Sequence, residues 1–168
     1  MFEKFGEFDS AEELNRAAAA QREEGDGEAL TMLALENGID KEDAEDYMDF
    51  CTEEFVTPLM AAVGKLKVEA EDLKLSGIVA DWKDMIVKMC TEDARMAAAV
   101  RRKGKSLAEC MAALIRFSFE NKVQISDKIV SATKVMHNGK LEPMRKPLHL
   151  GVPGKQQVKK IVSDYYMK

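Results

Sequence analysis

An irregular all-α domain of about seven or eight helices is the architecture expected from the pattern of apolar residues. Three observations carry it. Apolar side chains recur at i, i+3, i+4 and i+7 over several stretches, as in Ile78, Val79, Trp82, Met85, Ile86 and Met89. Capping residues stand in front of these stripes: Ser10, Asp26, Asp40, Thr57, Thr91, Ser106 and Ser126. Strand-like alternation is confined to Leu66, Val68 and Ala70.

Taken in order, Ser10-Ala11-Glu12-Glu13 is a capping box whose helix runs to about Glu24 and stops at Gly25. Asp26 opens a second helix through Leu35, closed by Gly38, and Asp40 opens a third over "KEDAEDYMDF". Apolar positions are sparse here (Leu14, Ala17, Leu30, Leu33, Ile39, Tyr47 and Met48), so these three helices need the rest of the chain, or a partner, to fold. Pro58 suits a first helical turn and starts a fourth helix at Thr57 that reaches about Leu66. The acidic stretch "KLKVEAEDLKLSG" reads as a linker or frayed turn.

The helix from Ser76 follows, and Thr91 caps "EDARMAAAVRRK". Gly104 takes a left-handed turn and Ser106 opens a helix that buries Leu107, Cys110, Met111, Leu114 and Ile115. This makes a helix–turn–helix pair hinged at Gly104. Ser126 caps another helix with Ile129, Thr133 and Met136 inward. His137-Asn138-Gly139-Lys140 is a turn, and "LEPMRKPLHLGVPG" a loop. The last helix opens near Pro153 and buries Val158, Ile161, Val162, Tyr165 and Tyr166. Domain organisation reads as an acidic helical segment, 1–54, and a helical core with a basic end, 55–168, as two units or one continuous domain.

Charge is the informative feature. The net charge is −5, but residues 1–100 hold 10 Lys and Arg against 25 Asp and Glu, whereas residues 101–168 hold 15 against 5. Such polarity points to nucleic acid or a charged partner, or else to two halves that attract each other. The candidate nucleic-acid or partner-binding cations are Arg101, Arg102, Lys103, Lys105, Lys140, Arg145, Lys146, Lys155, Lys159 and Lys160. The candidate acidic partner-binding face is Asp40, Glu42, Asp43, Glu45, Asp46 and Asp49.

Several chemistries are excluded. Gly104-Lys105-Ser106 ends like a phosphate-binding loop, but the glycine such a loop needs five residues earlier is Ala99, and the preceding stretch is helical. The helix-boundary reading accounts for every residue instead: Arg101, Arg102 and Lys103 face a helix C-terminus, and Glu109 closes a capping box with Ser106. His137 and His149 lack Cys or His partners at zinc spacing. The run from Asp40 fails the calcium-loop template, with Ala44 and Glu45 where an oxygen ligand and glycine belong. No nucleophile has a positioned base, and Cys110 sits in an apolar stripe. A non-enzymatic protein without metal, cofactor or small-molecule substrate is expected.

The longest uncharged run, Phe55 to Gly64, is too short to span a bilayer, and "MFEKFGEF" lacks the form of a secretory signal. Cys51, Cys90 and Cys110 form no CxxC pair, each sits in an apolar helical pattern, and they suit reduced thiols in the cytoplasm used as small core residues.

From Gly104 to Cys110, then through a helix to Glu120 and "QISDKIVSATKV" as the next helix, the chain resembles the PcfK-like family of conjugative plasmids and related mobile elements. The likeness covers residues 91–136, with Arg101 to Ser106 the matched turn. It implies a non-enzymatic accessory factor touching nucleic-acid machinery. Some relatives are anti-CRISPR inhibitors of type II RNA-guided nucleases, so the resemblance implies binding, and inhibition, of a nucleoprotein enzyme. The other reading is an accessory protein of conjugation that binds nucleic acid with its basic C-terminal half.

Overall fold

The computed structural model describes residues 4–168. Residues 1–3, the start of the N-terminal stretch read above for a signal, lie outside the described residues. The elements run α1 (Ala11–Glu24), α2 (Gly27–Glu36), α3 (Lys41–Met48), α4 (Pro58–Asp72), α5 (Ile78–Glu92), α6 (Ala94–Arg101), α7 (Leu107–Glu120), β1 (Val123–Gln124), α8 (Asp127–Ala132), β2 (Lys134–His137), β3 (Lys140–Pro143), β4 (His149–Leu150) and α9 (Lys155–Tyr166). The protein is thus a mostly helical, multi-helix domain, with nine helices among the described residues.

Local chemistry sets the helix ends. Ser10 accepts from the Glu13 amide at 3.2 Å while Glu13 reaches back to the Asp9 amide at 2.8 Å. Asp26, Thr57 and Ser106 each accept from an amide three residues on. Gly25 closes α1 at φ +71°, and Gly104 holds φ +77° in the turn between α6 and α7.

Two apolar clusters meet along α4. The first joins α1, α2 and α3 through Leu14, Leu30, Leu33, Ile39 and Tyr47, and closes on Phe55, Val56 and Ala61. Asn15 fixes the connection to α4, donating to the Val56 carbonyl at 2.9 Å and accepting its amide at 2.8 Å. The second cluster packs α4 through α7 with α9, around Leu66, Trp82, Ile86, Met96, Leu114 and Tyr166. Ala61 belongs to the first cluster and its neighbour Ala62 to the second, so one helix serves both.

Several expectations are corrected. The fourth helix does not end near Leu66; α4 continues to Asp72 because Lys65 and Glu69 turn inward, Lys65 to Glu7 and the Arg102 carbonyl and Glu69 to the Leu107 amide. Thr91 lies inside α5, and Asp93 caps α6 by accepting the Arg95 amide at 2.9 Å. Ile78 and Ile115 sit at the exposed margins of their stripes.

The largest difference lies between α7 and α9. Here the helix expected from Ser126 is only α8, six residues long, and the expected loop contains strands. β2 and β3 form an antiparallel hairpin pairing Lys134 with Pro143, Val135 with Glu142, Met136 with Leu141 and His137 with Lys140. Its two-residue turn uses Asn138 (φ +49°) and Gly139 (φ +76°), the left-handed pair that such a tight hairpin requires. β1 pairs with β4 at the base. Ile129 and Met136, expected inward, face outward; Val130 is the buried residue of α8.

Candidate nucleic-acid interface

Residues 121–154 leave the helical body after α7 and return at α9. Three contacts fix the root of this arm: the β1–β4 pair, the Ile125 amide on the Leu148 carbonyl at 2.8 Å, and Gly151 pressed against the Ser118 carbonyl of α7. The Met144 amide on the Thr133 carbonyl at 3.0 Å ties α8 to the end of the hairpin. Beyond these ties the hairpin stands in solvent, and all eight residues of β2 and β3 are exposed. The arm holds six Lys and Arg (122, 128, 134, 140, 145 and 146) against Asp127 and Glu142. It also exposes Val123, Ile129, Met136, Leu141, Leu150 and Val152.

The ten candidate cations fall into three places. Lys140, Arg145 and Lys146 lie on the arm, exposed. On α9, Lys155 and Lys160 are exposed, while Lys159 pairs with Glu92 of α5 at 3.1 Å and holds that carboxyl below its ordinary range. The remaining four belong to the turn between α6 and α7, and the turn is mostly structural. Arg102 and Lys103 are exposed. Lys105 is half-buried and donates to the Tyr165 carbonyl at 2.8 Å with its ammonium over the Tyr165 ring.

Arg101 corrects the surface reading outright. Its side chain is 1% exposed, and its guanidinium donates to the Asn37 side-chain oxygen at 2.7 Å and faces the Ala61 carbonyl at 3.5 Å. Burial lowers its pKa to about 10, against the favourable field of Glu7, Glu69 and Glu13.

The amides of this turn already hold anions, and the anions are the chain's own. Lys103 donates its backbone amide to Asp9 at 2.9 Å and Gly104 to Glu7 at 3.4 Å. Leu107, the first residue of α7, donates to Glu69 at 2.9 Å. Ser106 donates to the Tyr165 hydroxyl at 2.8 Å, and that hydroxyl donates to Glu109 at 2.7 Å. The expected Ser106–Glu109 capping box is therefore relayed through a tyrosine from α9. Lys65 completes the seam, with its ammonium 2.6 Å from Glu7 and 2.7 Å from the Arg102 carbonyl. Burial raises the pKa of Glu69, opposed by the Leu107 amide. A phosphate would have to displace this set, so the nucleotide-loop reading is closed on geometry as well as on motif.

The acidic candidates separate likewise. Asp40 pairs with Lys67 at 3.0 Å and Glu45 with Lys41 at 2.8 Å. Glu42, Asp46 and Asp49 are exposed and Asp43 is half-buried; no ion pair holds these four among the described residues. The acidic stretch 1–100 and the basic stretch 101–168 do meet, through Asp9 on Lys103, Glu7 on Gly104, Glu69 on Leu107 and Glu92 on Lys159. The arm and the α3 carboxylates still face water.

Residues that the sequence reading missed are Glu7, Asn37, Lys65 and Glu69 in the buried seam, and Lys122, Lys128 and Lys134 on the arm. Only the i, i+4 spacing of Lys65 and Glu69 offered a signal. Cys90 and Cys110 are buried free thiols whose pKa burial pushes up to about 12, as expected of core residues; Cys51, expected in the core as well, lies beyond the end of α3 and is exposed. Among the described residues no group of three His, Cys, Asp or Glu side chains could hold a metal ion, and no helix is long and apolar enough to cross a membrane.

Neither protein-family models, nor curated proteins, nor solved structures match the chain.

Proposed function

We propose that this is a non-catalytic interaction protein of the cytoplasm that contacts nucleic-acid backbone through the arm 121–154. The observation that carries this reading is the exposed hairpin with its surrounding cations; among the described residues no ion pair holds Lys122, Lys128, Lys134, Lys140, Arg145 or Lys146. Long cations displayed on a projecting element are what phosphate contact requires, because each neutralised phosphate releases condensed counterions. Fluorescence anisotropy with labelled nucleic acid over a salt series tests it. The log–log slope should be about −0.9 per duplex phosphate neutralised. Changing Lys140, Arg145 and Lys146 to Gln should flatten the slope by about 0.9 for each residue in contact. Absence of binding to duplex and single strand at low salt would remove the reading.

A second reading rests on the α3 carboxylates. Glu42, Asp46 and Asp49 repeat at i, i+4 and i+7 on one face, with no ion pair among the described residues. A row of this kind imitates phosphates toward the basic groove of a nucleoprotein enzyme. The resemblance over residues 91–136 makes a type II RNA-guided nuclease the sharpest case. Adding the protein to such nucleases should lower target cleavage, with Glu42, Asp46 and Asp49→Lys restoring it. Cleavage unchanged across several effectors removes this second reading.

A further inference from the structure

Resting on the nucleic-acid reading, we infer that the arm's ligand is duplex DNA, with the β2–β3 ribbon in the major groove and Met136 and Leu141 against thymine methyl groups. Strand register sorts the ribbon into two faces. Lys134, Met136, Leu141 and Pro143 share one, and Val135, His137, Lys140 and Glu142 the other. The approach of His137 Nδ1 to Glu142 Oε2 at 3.7 Å fits this sorting. Met136 and Leu141 stand directly opposite each other and are 67% and 64% exposed. A two-stranded ribbon is marginal in water alone, and an uncovered apolar pair at its centre marks the face that a ligand covers.

The dimensions select the groove. Four residues per strand give a ribbon about 13 Å long with strands about 4.8 Å apart. The major groove of B-form DNA, about 12 Å wide, admits such a ribbon without deformation, whereas the minor groove, about 6 Å wide, takes one only when the duplex is bent and the groove opened. An RNA duplex presents a deep, narrow major groove that side chains cannot read. Residues 121–154 contain no Phe, Tyr or Trp, so the stacking platform that single strands use is missing from the arm. Aliphatic groups have a specific counterpart in the major groove, the C5 methyl of thymine. Lys134 at the root of the same face, Lys140 at the tip, and Arg145 and Lys146 beyond β3 are placed for the flanking phosphates.

One atom-level substitution in the DNA tests the inference. The full chain is titrated against two labelled duplexes of the same sequence, one with thymine and one with uracil, which differ only in the methyl group. Binding should be tighter to the thymine duplex by roughly fourfold per methyl contacted. The double variant Met136→Ala/Leu141→Ala should abolish that difference while keeping the parent's salt slope and circular dichroism. Single-stranded DNA and duplex RNA of matching sequence should compete poorly. Equal affinity for the two duplexes, or better binding to single strands or RNA, overturns the major-groove inference and leaves the backbone-contact reading standing. Failure to bind any of the four overturns both.

Discussion

Replacing Arg101 by methionine is expected to cost about 3–5 kcal/mol of folding stability and to leave the salt dependence of nucleic-acid binding untouched. The guanidinium is enclosed between α2 and α4, where it donates to the Asn37 side chain. Asn37 is itself fully buried, and its amide group is committed to the Leu33 carbonyl at 2.8 Å. Without the arginine, the Asn37 oxygen loses its donor in a place water does not reach. Removing one member of a buried charged set costs more than the set contributes as a whole, because the partners stay desolvated. Glu69 suffers as well, since the positive charge of Arg101 is one of the few influences opposing the effect of its burial. Urea unfolding of Arg101→Met should show a lowered midpoint with unchanged m-value. Adding Asn37→Leu should recover part of the loss, because the orphaned oxygen goes with it. An Arg101→Met protein as stable as its parent but with a flattened salt slope would return this residue to the surface and to the phosphate contacts.

The contrast between Arg101 and Lys140 shows what a sequence can and cannot tell. Lys140, Arg145 and Lys146 needed only to be charged and in a polar turn-rich stretch to be picked out, and they are exposed. Arg101 sits among three other cations, and nothing local distinguishes it. Its burial is decided by Asn37, 64 positions away in the chain. The same holds for Lys65 and Glu69. Periodicity counts both as solvent-facing, which ends α4 too early, whereas Lys65 is claimed by Glu7 at a separation of 58 and Glu69 by Leu107 at 38. Four of the helix caps were legible for the opposite reason, whereas Asp40 and Ser126 make no side-chain cap bond and Thr91 lies inside α5. Ser10, Asp26, Thr57 and Ser106 act on amides three residues on, so the signal and its cause share one short window. The hairpin escaped because strand patterning arises from burying one face. With both faces of β2 and β3 exposed there is no alternation to detect, and only the Asn138-Gly139 turn was written in the residues.

Alanine at Gly38 or Gly64 is the other change expected to be severe, and the second of these runs against helix propensity. The end of α2 crosses α4 backbone to backbone. A Cβ at Gly38 would strike the Gly64 carbonyl, and a Cβ at Gly64 would strike the Asn37 carbonyl. Gly64 lies inside α4, where alanine would ordinarily stabilise by about 1 kcal/mol. Here the collision is with main chain, which cannot swing aside as a side-chain tip would. Overpacking of this kind costs about 1–3 kcal/mol, so the net change at Gly64 should be a loss. Gly38 also holds φ +68°, and a Cβ in the left-handed region adds about 1–2 kcal/mol. The sum for Gly38→Ala is about 2–5 kcal/mol. Gly25 provides the control: it has nearly the same backbone at φ +71°, but nothing within 4 Å of the added carbon. Gly25→Ala therefore isolates the conformational cost, and the excess loss at Gly38 measures the helix crossing. The crossing also seats Asn37 against Arg101, so Gly64→Ala and Arg101→Met should be non-additive by more than the roughly 0.5 kcal/mol seen for independent sites. Urea denaturation of the single and double variants reads all of these quantities. Equal losses at Gly25 and Gly38, together with a stabilising Gly64→Ala, would mean that α2 and α4 do not approach through their main chains.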